Sequence, residues 1–226
     1  MKIKKLYILL FIGLIASSQI AQGQKIKLSA DNLEANKVYM SLEKLQGKHV
    51  VKVIKDSTVL EADEPTFVKI KDIVFKDGVI EVKVLSKLNQ RARPTDRGFI
   101  GLAFRINEDL SKFECIYIRP TNGRSDDQIR RNHSTQYFSY PDYKFSRLRK
   151  ESPELYESYA DMGLNEWIKI KIEVKGSQAK LYLNDGQQPS LVVNDLKMGA
   201  NASGAMGLFV DVGTEGYFRD LKITEK

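Results

Sequence analysis

Residues 117–143, YIRPTNGRSDDQIRRNHSTQYFSYPDY, carry the densest set of side chains suited to a polar ligand. Within these 27 residues lie four arginines, four tyrosines and one histidine. Planar Arg, Asn, Asp and Gln groups can form several hydrogen bonds with closely spaced sugar hydroxyls. Tyrosine rings can pack against the C–H faces of a sugar. The composition predicts a carbohydrate ligand; the alternative is an Arg–Asp network that only anchors a long loop.

Two residues are candidate catalytic groups, His133 and Asp211. A histidine near a carboxylate can act as a general base, and Asp211 lies on the predicted outward face of the strand GAMGLFVDV. Three acids at 154–161 are further candidates for such chemistry, namely Glu154, Glu157 and Asp161. A lone histidine between Asn and Ser is more often a structural hydrogen-bonding group, so both interpretations of His133 stay open.

The sequence predicts no metal, no other cofactor and no nucleic-acid partner; Asp126–Asp127 is only a weak candidate for calcium, since the spacing of an EF-hand loop is lacking. Its two histidines and one cysteine are far apart and lack the spacing of a zinc site. The basic pair Arg130–Arg131 lies close to Asp126 and Asp127, which weakens any attraction to phosphates. We therefore expect a carbohydrate partner and no cofactor.

The first residues, MKIKKLYILLFIGLIASSQIAQGQ, have the pattern of a secretory signal peptide. Lysines precede an apolar run, and the small residues Ala21 and Gly23 occupy the positions favoured before a cleavage site. The run is shorter than the ~20 residues that a membrane span needs. We predict a signal peptide at 1–23, an exported (periplasmic or secreted) protein with no membrane span after cleavage, and a single domain at 24–226.

Charge and cysteine content agree with such a domain. Removal of the three signal lysines lowers the formal charge from +7 to +4, which is only mildly basic. The single cysteine, Cys115, cannot form an internal disulfide, so stability must come from an apolar core.

Alternation of apolar and polar residues with period two dominates the remaining sequence. In WIKIKIEVKG (167–176), the apolar residues occupy every second position and lysines lie between them. Many short strands without helices between them predict an all-β sandwich of two antiparallel sheets. The exception is about 120–165, which predicts a long loop, and long loops are usually functional.

Two of these strands predict a groove. FIGLAFRI (99–106) and FECIYIR (113–119) should form a hairpin whose apolar side faces the core. The other side would carry small residues beside Tyr and Arg, and GAMGLFVDV (204–212) repeats the pattern up to Asp211. A floor of small residues with polar neighbours is typical of a binding groove. The predicted substrate-binding residues are Arg105, Tyr117, Arg119, Asn122, Arg124, Gln136 and Tyr137.

Several segments resemble the concanavalin A-like lectin/glucanase superfamily, over about 65–225. They are GFIGLAFR, YIRPTNGRSDDQIRRNHSTQY, YESYADMGLNEWIKIKIEVKGSQAKLYLND and PSLVVNDLKMGANASGAMGLFVDVGTEGYFRDLKI. Within it they look most like exported bacterial domains of the 3-keto-disaccharide hydrolase type. The resemblance implies a jelly roll that binds a glycan or disaccharide on its concave face.

One departure from the superfamily concerns catalysis. Its glucanases carry a Glu-x-Asp-x-(x)-Glu strand whose paired carboxylates perform the reaction. The nearest segment here, EADEPT (61–66), lacks the final Glu. Three functions remain open: hydrolysis of a glycosidic bond, non-catalytic glycan binding or surface interaction, and a sandwich whose loop only covers its sheet.

Overall fold

A computed structural model describes residues 23–225, which form two antiparallel sheets packed face to face. The predicted all-β sandwich is therefore confirmed. The predicted signal peptide, apart from Gly23, lies outside the described residues. Among residues 23–225, no helix is long and apolar enough to cross a membrane.

The first sheet has eight strands in the order β13-β12-β11-β6-β15-β4-β3, with β1 paired to β15. Its strands are β1 (Gln24–Lys25), β3 (Val38–Leu45), β4 (Lys48–Lys55), β6 (Gly78–Leu88), β11 (Ile168–Lys175), β12 (Gln178–Leu183), β13 (Leu191–Val193) and β15 (Thr214–Glu225). The second sheet has seven strands in the order β10-β9-β8-β7-β14-β5-β2. Its strands are β2 (Leu33–Asn36), β5 (Phe67–Phe75), β7 (Ile100–Ile106), β8 (Phe113–Ile118), β9 (Thr135–Tyr140), β10 (Glu157–Ser158) and β14 (Gly204–Val210).

The eight-stranded sheet has one buried face and one more solvent-exposed face, as the alternation of apolar and polar residues predicts. In β11, Ile168, Ile170 and Ile172 are buried against the other sheet, and the lysines between them lie on the opposite face. Burial of such side chains stabilises the fold by about 1.5–3 kcal/mol each.

The seven-stranded sheet is different because both of its faces are covered at its centre. All residues of β7 and of β8 are buried. One face packs on the eight-stranded sheet; we call the other its outer face. The outer face is therefore not an open, solvated surface, and what covers it decides which predicted residues a ligand can reach.

The sequence predicts a long loop at 120–165, but the structure contains five short elements there. They are α1 (Pro120–Gly123), α2 (Gln128–Asn132), β9, α3 (Phe145–Glu151) and β10; one further helix, of 3₁₀ type, spans Ala30–Asn32. Five of the six residues of β9 are buried, and a strand buried on both faces loses the alternation that reveals it in a sequence.

Candidate functional site

The predicted hairpin of β7 and β8 is present, and its register places Gly101 opposite Tyr117. Phe209 of β14 pairs with Gly101 on the other side, and its ring centroid lies 5.6 Å from that of Tyr117. The predicted outer face thus exists. The space above Gly101 is not empty, however, because a Cβ there would lie 2.6 Å from Cβ of Tyr117.

Arg119 is the centre of a buried polar cluster on this face. Its guanidinium donates to Glu157 Oε1 at 2.7 Å, to Gln136 Oε1 at 2.9 Å and to the Tyr117 hydroxyl at 3.0 Å. A further bond reaches the carbonyl of His133 at 3.1 Å. Because Arg119 is only 4% exposed and these donors are occupied, the cluster holds the structure together and does not present free groups to a ligand.

Glu157 joins this cluster to the surface. Burial alone would raise its pKa, but hydrogen bonds and positive charge from Arg149 and Arg119 outweigh burial and lower the pKa. Nε2 of His133 lies 3.7 Å from Glu157 Oε2. Burial lowers the pKa of His133; the carboxylate of Glu157 opposes this effect, and the positive charges of Arg149 and Arg119 add to it, so that the pKa lies below its usual value.

Helix α3 closes the outer face over this cluster. The guanidinium carbon of Arg119 lies 5.8 Å from the ring centroid of Phe145. The guanidinium carbon of Arg149 lies 5.2 Å from the same centroid. Arg149 also donates to Glu157 from Nε at 2.8 Å. The groove predicted from strand parity is filled by a helix of the same chain.

Asp211, the predicted catalytic carboxylate, is 2% exposed and both of its oxygens are engaged. Oδ1 accepts from Lys55 Nζ at 2.6 Å and from the amide of Val212 at 2.8 Å. Oδ2 accepts from the amide of Asp63 at 2.9 Å. The carboxylate therefore ties β4, the 56–66 connection and the end of β14 together.

Asp63 is the residue of this region that the sequence did not single out. It is fully buried, and its Oδ2 accepts from the amide of Phe145, the first residue of α3, at 2.6 Å. Burial, reinforced by the negative charge of Asp211, raises its pKa to about 7. Asp63 lies in EADEPT, which in the sequence is recognisable only as an incomplete glucanase motif. Asp63 was not identified as a site residue because its burial cannot be inferred from that motif.

Two predicted groove residues point elsewhere. Arg105 has φ +54° at a bulge between β7 and β14, and it binds the carbonyls of Lys76, Gly176 and Gly199 at 2.8–3.1 Å. It lies four residues along the strand from Gly101, about 13 Å away. Strand parity alone could not reveal the bulge.

Tyr137 lies on the inner face, because it pairs with Ile116 and not with Tyr117. Its hydroxyl donates to the carboxylate of Glu114 and accepts from the amide of Lys197 at 2.8 Å. Tyr137 is thus a core residue, and the prediction that it lines a groove is not supported by its position.

The remaining predicted residues are also engaged by neighbouring groups or buried. Asn122 is buried and donates from Nδ2 to the carbonyl of His133 at 2.9 Å. Gln136 is fully buried. Arg124 is exposed but forms paired hydrogen bonds with Asp161 and Glu166 at 2.8–3.4 Å.

An open cleft of about 740 Å³ lies at the strand ends near Lys55. We call it the strand-end cleft; the ends of β3, β4 and β15 and the connections 56–60 and 89–96 line it. Tyr39 is 61% exposed and Leu60 79% exposed, so apolar surface is available at its opening. No local pattern in the sequence indicates this cleft, since its residues come from four separate segments.

Polar groups of the cleft are partly fixed by neighbours. Asp96 is buried and accepts from the amide of Arg93 at 2.8 Å and from its guanidinium at 3.1 Å. Asp56 accepts from the amide and hydroxyl of Thr58, and these bonds lower its pKa. Arg91 forms no ion pair among residues 23–225 and remains free to bind a ligand.

Within residues 23–225, no group of three or more His, Cys, Asp or Glu side chains could hold a metal ion. Cys115 is buried, and burial raises the pKa of its thiol well above the usual value.

The solved structures that resemble this fold include two from Bacillus subtilis. Carbohydrate-binding module CBM66 from Bacillus subtilis is 14% identical, with a TM-score of 0.53 over 84% of this chain and 97% of that chain. A Bacillus subtilis protein with a galectin-like fold is 9% identical, with a TM-score of 0.52 over 86% of this chain and 90% of that one. No protein-family model matches the sequence, and no curated protein matches it. At such identities the likeness shows the fold alone, which is a jelly-roll sandwich of the concanavalin A-like, galectin-like kind.

Proposed function

We propose that this protein is a glycan-binding module whose ligand occupies the strand-end cleft. The observation that carries the proposal is the open cleft of about 740 Å³, which combines exposed apolar side chains with fixed polar groups. Ligand pockets are typically ~300–1,000 Å³ and contain a few well-placed polar groups. The similarity to a protein named as a carbohydrate-binding module supports the proposal.

The chemistry of the cleft suits sugar hydroxyls, which both donate and accept. Its lining contains three cationic and three carboxylate side chains: Lys55, Arg91, Arg93, Asp56, Asp96 and Glu215. Lys55 and Asp96 are buried and already bonded to Asp211 and Arg93. The more exposed Asp56 and Glu215 can accept from hydroxyls, and Arg91 can donate to them. The exposed ring of Tyr39 can pack on the C–H face of the sugar.

Binding without turnover is the form of this proposal that the geometry favours. Both oxygens of Asp211 are held by Lys55 and backbone amides, and α3 covers the cluster that His133 adjoins. The hydrolytic proposal can be tested directly with disaccharides that do or do not carry a 3-keto group. We expect no turnover; product formed by the unaltered protein and abolished by His133→Ala would overturn this expectation.

A glycan panel followed by calorimetry tests the binding site. We expect Tyr39→Ala and Arg91→Ala to weaken binding at least ten-fold, because each removes an exposed contact within the cleft. Tyr159→Ala and Arg147→Ala are matched controls, since both residues are partly exposed and lie on the 120–165 segment.

Unchanged binding in both cleft variants, with loss in the controls, would move the site to the 120–165 segment. Absence of binding to every glycan in the panel would reject the function itself. We also propose export of the protein on the basis of residues 1–23.

A further inference from the structure

The strand-end cleft is continuous with the solvent-facing side of the eight-stranded sheet. Three of its lining residues, Tyr39, Ile54 and Glu215, lie side by side in register on β3, β4 and β15. Residues paired in an antiparallel register point to the same side of a sheet. Val53, the neighbour of Ile54, is buried in the core, so this row of side chains faces away from the other sheet. The cleft therefore opens onto the solvent-facing side.

The next positions along β3 on that side carry exposed polar groups. Ser41 and Glu43 follow Tyr39 at alternate positions, and both are exposed. Ser41 pairs in register with Lys52 of β4, and its Oγ donates to Glu43 Oε1 at 2.7 Å. Nζ of Lys52 lies 3.9 Å from the same carboxylate oxygen. A hydroxyl, a carboxylate and an ammonium group thus continue the polar lining of the cleft along the strand, at intervals of about 7 Å.

The neighbouring strand offers no comparable path. Tyr217 of β15 lies in the same row as Lys52 but is only 4% exposed. Nζ of Lys52 and Nζ of Lys87 lie 5.8 Å and 5.1 Å from the centroid of its ring, so lysine side chains cover it. Strand β3 is the last in the order of its sheet and carries the small side chain of Ser41 next to the cleft. The path along β3 is therefore the more open one.

The cleft is also large for a single sugar. Its volume is about 740 Å³, whereas pockets of ~300–1,000 Å³ enclose most of a drug-sized ligand, which is larger than one sugar ring. The ring of Tyr39, 61% exposed, stands where the cleft meets β3. A sugar unit that packs on this ring would lie partly in the cleft and partly on the strand.

We propose that the cleft binds the end of an oligosaccharide chain, whose following units cross Tyr39 and lie along β3 over Ser41 and Glu43. This inference rests on the proposed function and adds the length of the ligand and the direction in which it leaves the cleft. Ser41 and Lys52 can donate to hydroxyls of these units, and Glu43 can accept from them. Each further unit adds contacts until the exposed row ends, so affinity should rise with chain length and then level off.

The test is calorimetry with cello-, malto-, xylo- and manno-oligosaccharides, each series running from the single sugar to the pentamer. In a series that binds, we expect the pentamer to bind at least ten-fold more tightly than the single sugar. Ser41→Arg places a long side chain in the path and should weaken binding of the pentamer at least ten-fold, with binding of the single sugar unchanged. Leu42→Arg is the matched control, because this exposed neighbour on β3 points to the other side of the sheet, and it should change neither affinity.

The outcomes separate this inference from the proposed function. Equal affinity for the single sugar and the pentamer overturns the inference and leaves the proposed function intact. A tighter-binding pentamer that Ser41→Arg leaves unaffected, or that Leu42→Arg weakens equally, also overturns it, since the chain then leaves the cleft by another route. Absence of binding in every series and in the glycan panel rejects the proposed function itself, and the inference with it.

Discussion

Substitution Asp63→Asn tests whether the buried carboxyl carries a proton at neutral pH. The asparagine keeps an oxygen that can accept from the amide of Phe145, but it removes the titrating group. Burial and the negative charge of Asp211 raise the pKa of Asp63 from 3.8 to about 7. That difference means that, above pH 7, the free energy of unfolding is lower by about 4 kcal/mol than it is at low pH, where Asp63 is protonated in both states.

The sign follows from proton binding in the two states. Between about pH 4 and 7 the unfolded chain has lost the proton of Asp63 while the folded protein retains it. Stability is therefore highest below this window and falls as pH rises through it. From pH 5 to pH 8 the wild type should lose about 3 kcal/mol through this residue, and Asp63→Asn should not.

Urea unfolding at pH 5 and at pH 8 measures the effect. The stability difference between Asp63→Asn and wild type should be about 3 kcal/mol more favourable to the variant at pH 8 than at pH 5. Asp126→Asn, at an exposed position, is the control; because it retains Asp63, its stability should change with pH as that of the wild type does. If Asp63→Asn has the same pH dependence as wild type, the carboxyl is ionised in the folded protein and the reasoning is wrong.

Three further predictions concern other parts of the molecule. Glu157→Gln leaves Arg119 buried without its counter-charge, so urea unfolding should show a loss of about 3–5 kcal/mol, and a loss below 0.5 kcal/mol would contradict the role of the pair. Tyr137→Phe removes the hydroxyl between Glu114 and a backbone amide and should cost about 1–3 kcal/mol in the same assay; an unchanged midpoint would show that the bond contributes nothing. Terminal sequencing of the protein recovered outside the cytoplasm should begin at Gln24, and an intact first methionine would reject the signal peptide.

The fold could be predicted because its main signal is local. Alternation in β11 depends only on which side of one strand is buried, and it correctly assigned Ile168 and Ile170 to the core. The β7–β8 hairpin was also predictable, since two alternating strands joined by a short polar turn restrict the register. Strand β9 was missed because burial on both faces removes the alternating pattern.

The candidate site could be predicted only in part. Parity correctly placed Tyr117 on the outer face, but it carried no information on what lies above that face. Arg105 was misplaced because a bulge interrupts its strand, and Tyr137 because its strand was not recognised. Asp63 went unnoticed since its partner Asp211 is 148 residues away in the chain.

The sequence by itself determined the two-sheet sandwich and the enrichment of arginine and tyrosine in 117–143, because strand periodicity and composition are properties of neighbouring residues. Only the tertiary structure decided whether those residues are accessible. Helix α3 fills the predicted groove, and the open cleft forms at the strand ends from segments far apart in the chain. Accessibility depends on long-range packing, which no local pattern in the sequence records.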